Sequence, residues 1–361
     1  MRKTYPEIIE ESTRSLFVAL EDIFSQTHKG FIFIIDEWDC IFREKQKDTA
    51  AQTVYLDFLR DLFKDQPYVN LVYMTGILPI KKYGAHSALN MFREFSMTDS
   101  DVLSPYVGFM ESEVQALCKV WRKDFQETQR WYDGYQFYNQ FHVYNPKSVV
   151  DAMQSLRFGS FWTQTETYEA LRVYIDMNFD GLKDAIIQML GGGRCIIDTS
   201  SFTNDMTAFQ IKDDVLTLLV HLGYLGYDTE TKQVFIPNEE IRLEFVTSIR
   251  VSDWQEVIKS INASEALLEA TLNGDTDTVA KGLDAVHMDT TSILSYNNEN
   301  SLSCVISLAY YSARNYYYLK RELSAGKGFA DMFFVPRSNS PDKPAMVVEL
   351  KWNDSAQGAI Q

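Results

Sequence analysis

Positive charge is in short supply in this chain: 34 Lys and Arg face 50 Asp and Glu over 361 residues, a formal net charge of −16. Binding along a nucleic-acid backbone draws mainly on Lys and Arg, so the balance excludes a general nucleic-acid coat. The deficit is uneven. Residues 291–361 carry seven Lys/Arg against six Asp/Glu, which leaves 27 against 44 for residues 1–290. The tail is the part least hostile to phosphates.

Cysteine is almost as scarce. Cys40, Cys118, Cys195 and Cys304 are widely scattered, with neither CxxC spacing nor a nearby His. That excludes a disulfide framework and a zinc ribbon, and predicts buried or idle thiols in a reducing cytoplasm. Long apolar runs are missing too. The most apolar short run, Phe31 to Ile35, has five residues, against the roughly twenty that a spanning helix needs. Two cations near the N-terminus precede a mixed polar helix pattern rather than the apolar stretch of a signal peptide. A cytoplasmic protein outside the membrane is expected. There is no internal repeat and no low-complexity tract. With 45% hydrophobic and 23% charged residues, the composition is that of folded protein and excludes disorder.

What is present begins with α/β patterning. Residues 5–27 carry Ile8, Ile9, Leu16, Leu20, Ile23 and Phe24 near helical spacing, which predicts an amphipathic helix. After Gly30, the continuous run Phe31–Ile35 predicts a strand covered on both faces, as in a parallel sheet. A helix over about 49–64 and a second buried strand over 69–76 follow. Strand, helix, strand implies an α/β layer whose functional edge lies at the strand C-termini. Residues 111–210 are mainly helical and rich in aromatics such as Trp121, Trp131, Tyr132, Tyr135, Trp162 and Tyr168; core packing or a protein partner would use them. From Asp213 to Ile249 the order helix, hairpin, helix is consistent with a winged helix. Its would-be recognition helix is acidic and apolar (Asp213, Asp214, Leu218, Leu219), which favours packing over DNA contact. Residues 253–285 predict a helical connector interrupted at Gly274 and Gly282. A long helix over 299–323 and strands over 328–335 and 345–352 complete the chain.

The last two strands carry chemistry. Glu349 and Lys351 are two apart, so their side chains leave one face of a strand. Asp331 on the preceding strand joins them if the strands pair as a hairpin. Acidic and basic residues two apart on an edge strand are most often only a solvated face. Here the apolar run Ala345-Met346-Val347-Val348 places Glu349 at the end of a buried strand, where a carboxylate is costly unless it meets a cation or a metal. Two carboxylates suit a hard divalent ion, Mg²⁺ or Mn²⁺, and an ammonium suits orientation and deprotonation of an attacking water. Asp331 and Glu349 are therefore the candidate metal ligands, Lys351 the candidate water-activating group, and Glu299 a further carboxylate. In the front half, Phe31–Ile35 followed by Asp36-Glu37 has the form of a Walker B strand. There Asp36 would hold Mg²⁺, Glu37 would polarise a water, and Thr75 at the end of the next strand would sense a γ-phosphate. Acidic residues also often simply terminate buried strands.

Gly326-Lys327-Gly328-Phe329-Ala330-Asp331 with Val347-Val348-Glu349-Leu350-Lys351-Trp352 resembles the PD-(D/E)XK nuclease domain at the C-terminus of bacterial proteins that begin with an AAA-ATPase-like domain. Ala330 stands in place of the family's proline. The resemblance extends to Glu299 on the first core helix and to Gln361 near a polar Gln of the next. It also runs through Ile34-Ile35-Asp36-Glu37-Trp38-Asp39, Tyr73-Met74-Thr75-Gly76-Ile77-Leu78-Pro79-Ile80, Arg130-Trp131-Tyr132-Asp133-Gly134-Tyr135, Val143-Tyr144-Asn145-Pro146 and Trp162-Thr163-Gln164-Thr165. It implies an incomplete P-loop ATPase-like parallel sheet over 1–110, a helical lid and winged-helix-like region over 111–252, a helical connector over 253–290, and a restriction-endonuclease-like α/β core over 291–361. It also implies a metal-dependent nuclease acting on nucleic acid. No GxxxxGK[ST] loop occurs, so no amides and Lys cradle phosphates. The expectation is a piece of a longer protein, cut after the phosphate loop and within the nuclease. ATP would bind, and gate cleavage, only in the full-length protein. The competing expectation is a catalytically silent signalling or protein-interaction module of the same fold. A transcription factor built on the winged helix is disfavoured by the acidic balance.

Overall fold

A computed structural model describes residues 1, 3–9, 15–45, 47–77, 79, 89–137, 139–162, 168–177, 179–202, 209–252, 254–291, 299–325 and 328–350. The chain is mixed α/β, about half helix, and the sheets among the described residues are open and of two or three strands. It divides into two units, residues 1–96 with 200–210, and residues 97–199 with 211–361.

In the first unit α1 (Leu16–Thr27) buries Ala19, Leu20 and Ile23 and ends at His28, whose left-handed backbone lets its N–H cap the Phe24 carbonyl. The helix expected from residue 5 starts at 16. Tyr5, Ile8 and Ile9 reach the same core from a turn, packing with Ala19 and Ile23. β1 (Phe31–Ile35) is followed by α2 (Cys40–Glu44) and by α3 (Thr49–Phe63), which Asp48 caps by accepting the Ala51 N–H. β2 (Val69–Met74) then pairs with β1 in parallel, Ile35 beside Met74. The run expected to be covered on both faces is covered on one. Phe33 packs on Phe63 and Tyr68, whereas Ile32 and Ile34 are 65% and 76% exposed and Leu71 and Tyr73 55% and 50%. Burial therefore alternates along β1, as in a half-covered sheet.

The second unit starts with β3 (Phe109–Met110), α4 (Glu111–Trp121), α5 (Phe125–Tyr132), β4 (Tyr135–Phe137), β5 (Gln140–Tyr144) and α6 (Pro146–Gln154). β5 lies between β3 and β4. Val114, Cys118, Tyr132, Tyr144, Val149, Ala152 and Met153 form the core beneath the helices. Asn145 starts α6 by accepting the Ser148 N–H, with Pro146 in the first turn, where its missing N–H costs nothing. Next come α7 (Tyr168–Ile175), α8 (Leu182–Leu190), β6 (Cys195–Ile196), α9 (Lys212–His221), β7 (Gly226–Asp228), β8 (Gln233–Phe235) and α10 (Glu239–Arg250). Helix, hairpin, helix is thus present, with β6 as a third strand beside β8. α9 is buried from Asp214 to His221, so it packs inside the unit rather than offering a recognition surface.

α11 (Gln255–Leu272) and α12 (Thr276–Thr291) are broken apart at Gly274, whose φ of 72° is left-handed. Gly282 interrupts nothing. It lies within α12 where a Cβ would meet Leu267 Cδ1 at 2.7 Å, so it is a close-approach position. The helix expected over 299–323 is two elements: α13 (Glu299–Ala309) and, after a 3-10 turn at Tyr311–Asn315, the strand β9 (Tyr317–Ala325). The β-prone run Tyr316-Tyr317-Tyr318-Leu319 explains the switch. β10 (Gly328–Pro336) and β11 (Met346–Val348) complete an antiparallel meander with β10 in the middle. Met332 and Phe334 are fully buried, and Tyr310 and Tyr317 set their edges against the Phe334 ring.

Candidate functional site

The sheet β9–β10–β11 positions the C-terminal carboxylates. On β10, Met332 and Phe334 point into the core, so Asp331, Phe333 and Val335 take the other face, where Val335 is exposed. β11 pairs Met332 with Val348 and Phe333 with Val347. Directly opposed residues of an antiparallel pair share a face, and Val347 is indeed 63% exposed opposite Phe333. One step further along the same register, Glu349 falls opposite Asp331. The Leu350 N–H donates to Asp331 Oδ2 at 2.6 Å, which ties the chain beyond β11 to this point on β10.

β9 adds a cation that the sequence pattern hides. Lys320 is paired with Phe333 and exposed, so it shares the outer face with Asp331 and Glu349. The helical reading of residues 317–323 placed this lysine nowhere near them. Glu299 is the first residue of α13, and its side chain is outside the description, as are Lys351 and Gln361. Among the described residues, three or more metal-ligating side chains gather nowhere. The donor set is two carboxylates on neighbouring strands. That fits Mg²⁺, which is commonly held by one or two carboxylates and keeps several waters.

The strand ends of the first unit bring together a second group. Thr75 Oγ1 donates to Asp36 Oδ1 at 2.5 Å, and the same oxygen accepts the Glu37 N–H at 3.1 Å. Glu37 has a left-handed backbone, φ 54°, and pairs with Arg43 at 3.1 Å. Arg43 also lies 3.3 Å from Asp39, which is fully buried and accepts the Ile77 N–H at 3.2 Å. Asp36 and Thr75 thus meet at the C-terminal edge of β1 and β2, while the Glu37 carboxylate turns to Arg43. Arg43 and Asp39 were not singled out in the sequence, although the i,i+4 spacing carries them.

Two buried polar groups of the second unit also escape sequence reading. Arg337, just after β10, donates through Nε to Glu127 Oε1 at 2.9 Å and through Nη2 to Glu127 Oε2, while Tyr318 adds a bond at 3.0 Å. The fork fastens the C-terminal sheet to α5. Asp133, after α5, holds His142 Nδ1 at 2.6 Å. Burial pushes the Asp133 carboxyl up, opposed by His142 and the Gly134 amide, and the carboxylate in turn raises the imidazole.

No family model, no curated protein and no solved structure matches this chain.

Proposed function

We propose that this chain is an AAA-ATPase-like protein whose C-terminal region hydrolyses phosphodiester bonds in nucleic acid with the help of a divalent metal. The observation that supports the reading is the antiparallel register of β10 and β11, which carried one step further pairs Asp331 with Glu349 on the outer face of the sheet; the strand before Glu349 is half-covered rather than buried as expected. These two residues would hold Mg²⁺ or Mn²⁺, which supplies Lewis-acid stabilisation of charge on the phosphate oxygens. Lys351, two residues past Glu349 and outside the described residues, would share that face if the strand continued through it. Its ammonium would orient the water and oppose the negative charge that builds on the phosphate oxygens. Lys320 on the same face would draw the substrate's backbone toward the carboxylates, offsetting the −16 net charge. Glu299 and Gln361 are the proposed accessory polar groups. The strand edge with Asp36, Glu37 and Thr75 would respond to ATP and gate cleavage only in a chain that also carries a phosphate loop.

The test is incubation with labelled single- and double-stranded DNA and RNA in Mg²⁺, Mn²⁺ or EDTA. Cleavage is expected with either metal and not in EDTA, and Lys351→Ala should slow it about 10²- to 10⁴-fold, the range for loss of a proton-transfer group. Equal cleavage by wild type and variant would remove Lys351 from the mechanism.

A second reading, a silent protein-interaction module, is favoured by one contact: Asp331 Oδ2 is already used by the Leu350 amide, a structural duty that an inactive descendant would also keep. Absence of cleavage under every condition would establish that reading.

A further inference from the structure

The first unit leaves two apolar patches uncovered, on opposite sides. β1 turns Phe31 and Phe33 to one face, where Phe31 packs with Ala19 and Ile23 of α1, and the Phe33 ring lies 5.2 Å from that of Phe63 at the end of α3. Both helices therefore sit on the same side of the sheet. Ile32 and Ile34 take the other side, where the register sets Ile32 beside Leu71 and Ile34 beside Tyr73. All four are half or more exposed. They form one contiguous patch on the order of 400 Å², the size at which apolar surface marks an interaction site. A parallel sheet is ordinarily covered by helices on both faces, and this one is bare on one.

The second patch belongs to α3. Gln52, Leu56, Leu59 and Phe63 are buried and point one way around the helix. Val54 and Phe58, one turn apart, fall on the opposite side, 69% and 39% exposed. Phe17 of α1 meets the Phe58 ring edge-on at 5.7 Å, which carries the stripe into the seam between the two helices.

Single exposed apolar residues are ordinary on any protein surface. Here the two patches match in size. The six residues of β2 span about 20 Å, and the fifteen of α3 about 22 Å. One helix, about 10 Å across, covers two strands spaced about 4.8 Å apart. None of the six side chains in the patches is charged, so the contact buries no unpaired ion.

We propose that copies of this chain associate head to tail, the helical layer of one lying across the bare face of β1 and β2 in the next. Each copy lends its neighbour the covering layer that the neighbour's sheet lacks. The contact joins different surfaces, so it leaves one free patch of each kind at the ends, and assembly continues past the dimer or closes into a ring. The apolar area involved is below the roughly 1,200 Å² of stable complexes, which makes the association weak and concentration-dependent.

The test is sedimentation velocity of the full chain between about 10 μM and 1 mM. The average mass of the wild type should rise with concentration and pass that of a dimer. Ile34→Lys and Val54→Lys each put a charge into the contact, and each alone should weaken association at least about tenfold. Both positions are exposed, an unchanged thermal midpoint shows that the fold is kept, and Leu71→Lys replaces the sheet variant should it not fold. An equal mixture of Ile34→Lys and Val54→Lys should form a 1:1 dimer that grows no further, since the first retains its helix patch and the second its sheet patch. The proposal is overturned if the wild type stays monomeric throughout, if Val54→Lys associates as the wild type does, as pairing of sheet with sheet requires, or if the mixture associates no more than its separate components.

Discussion

At the scale of single residues, buried titratable groups give the clearest consequences. His221 on α9 is buried, and burial holds its pKa down to about 4. The folded state prefers the neutral ring, so its contribution is fully present above the unfolded value near 6.5 and is lost as pH falls through that value toward 4. A depression of that size corresponds to at most about 3 kcal/mol. Urea midpoints at pH 7, 5.5 and 4.5 should fall less steeply for His221→Gln than for wild type; parallel slopes would show that His221 is not the group responsible. Gly134 is a second such residue. Its φ is 112°, and a Cβ there would lie 2.1 Å from the Pro237 carbonyl oxygen, so neither the backbone nor the space admits a side chain. Gly134→Ala should cost about 3 kcal/mol or more, and an unchanged denaturation midpoint would contradict the geometry. The sequence showed Gly134 within the motif quoted above. What it could not show was Pro237, about a hundred residues away, pressing on that backbone.

Elements tell a different story about legibility. The strands β1 and β2, the helix α3 between them, the helix–hairpin–helix of residues 212–250 and the β10–β11 pairing all follow from local patterns, because each is made within one short stretch. Coverage was not legible: the run Phe31–Ile35 is equally apolar at every position, and only tertiary neighbours decide that Ile32 and Ile34 stay exposed. The boundary between α13 and β9 was missed for a related reason. Apolar residues at helical spacing continue into the tyrosine run, and it is pairing with β10 that draws residues 317–325 into a strand. The same error hid Lys320. Long-range ties were invisible as well, above all Arg337 with Glu127. Both side chains are about nine-tenths buried, and without Arg337 the Glu127 carboxylate keeps Arg130, 3.3 Å away, as a partial counter-charge. Arg337→Ala should therefore cost about 1.5–3 kcal/mol, the worth of hydrogen bonds to a charged group, measured by chemical denaturation. Loss of under 1 kcal/mol (roughly the value of a surface pair) would mean that the C-terminal sheet is not fastened to α5 through this fork.

On the scale of the whole molecule, charge and chemistry pull apart. A net charge of −16 disfavours polyanions, yet the residues that resemble a nuclease lie in the one stretch where cations balance anions. Cleavage in that setting should depend only shallowly on added salt, since few lysines and arginines are there to displace counter-ions from the backbone. The central claim is that Asp331 and Glu349 act together on a divalent cation. It is tested most directly by titrating Mn²⁺ into the metal-free chain while following the spin-resonance signal of free Mn²⁺, beside Asp331→Asn and Glu349→Gln. One ion bound by wild type and weakened at least about tenfold by either substitution is the predicted result. Identical Mn²⁺ binding by all three proteins, or none by any, would contradict it.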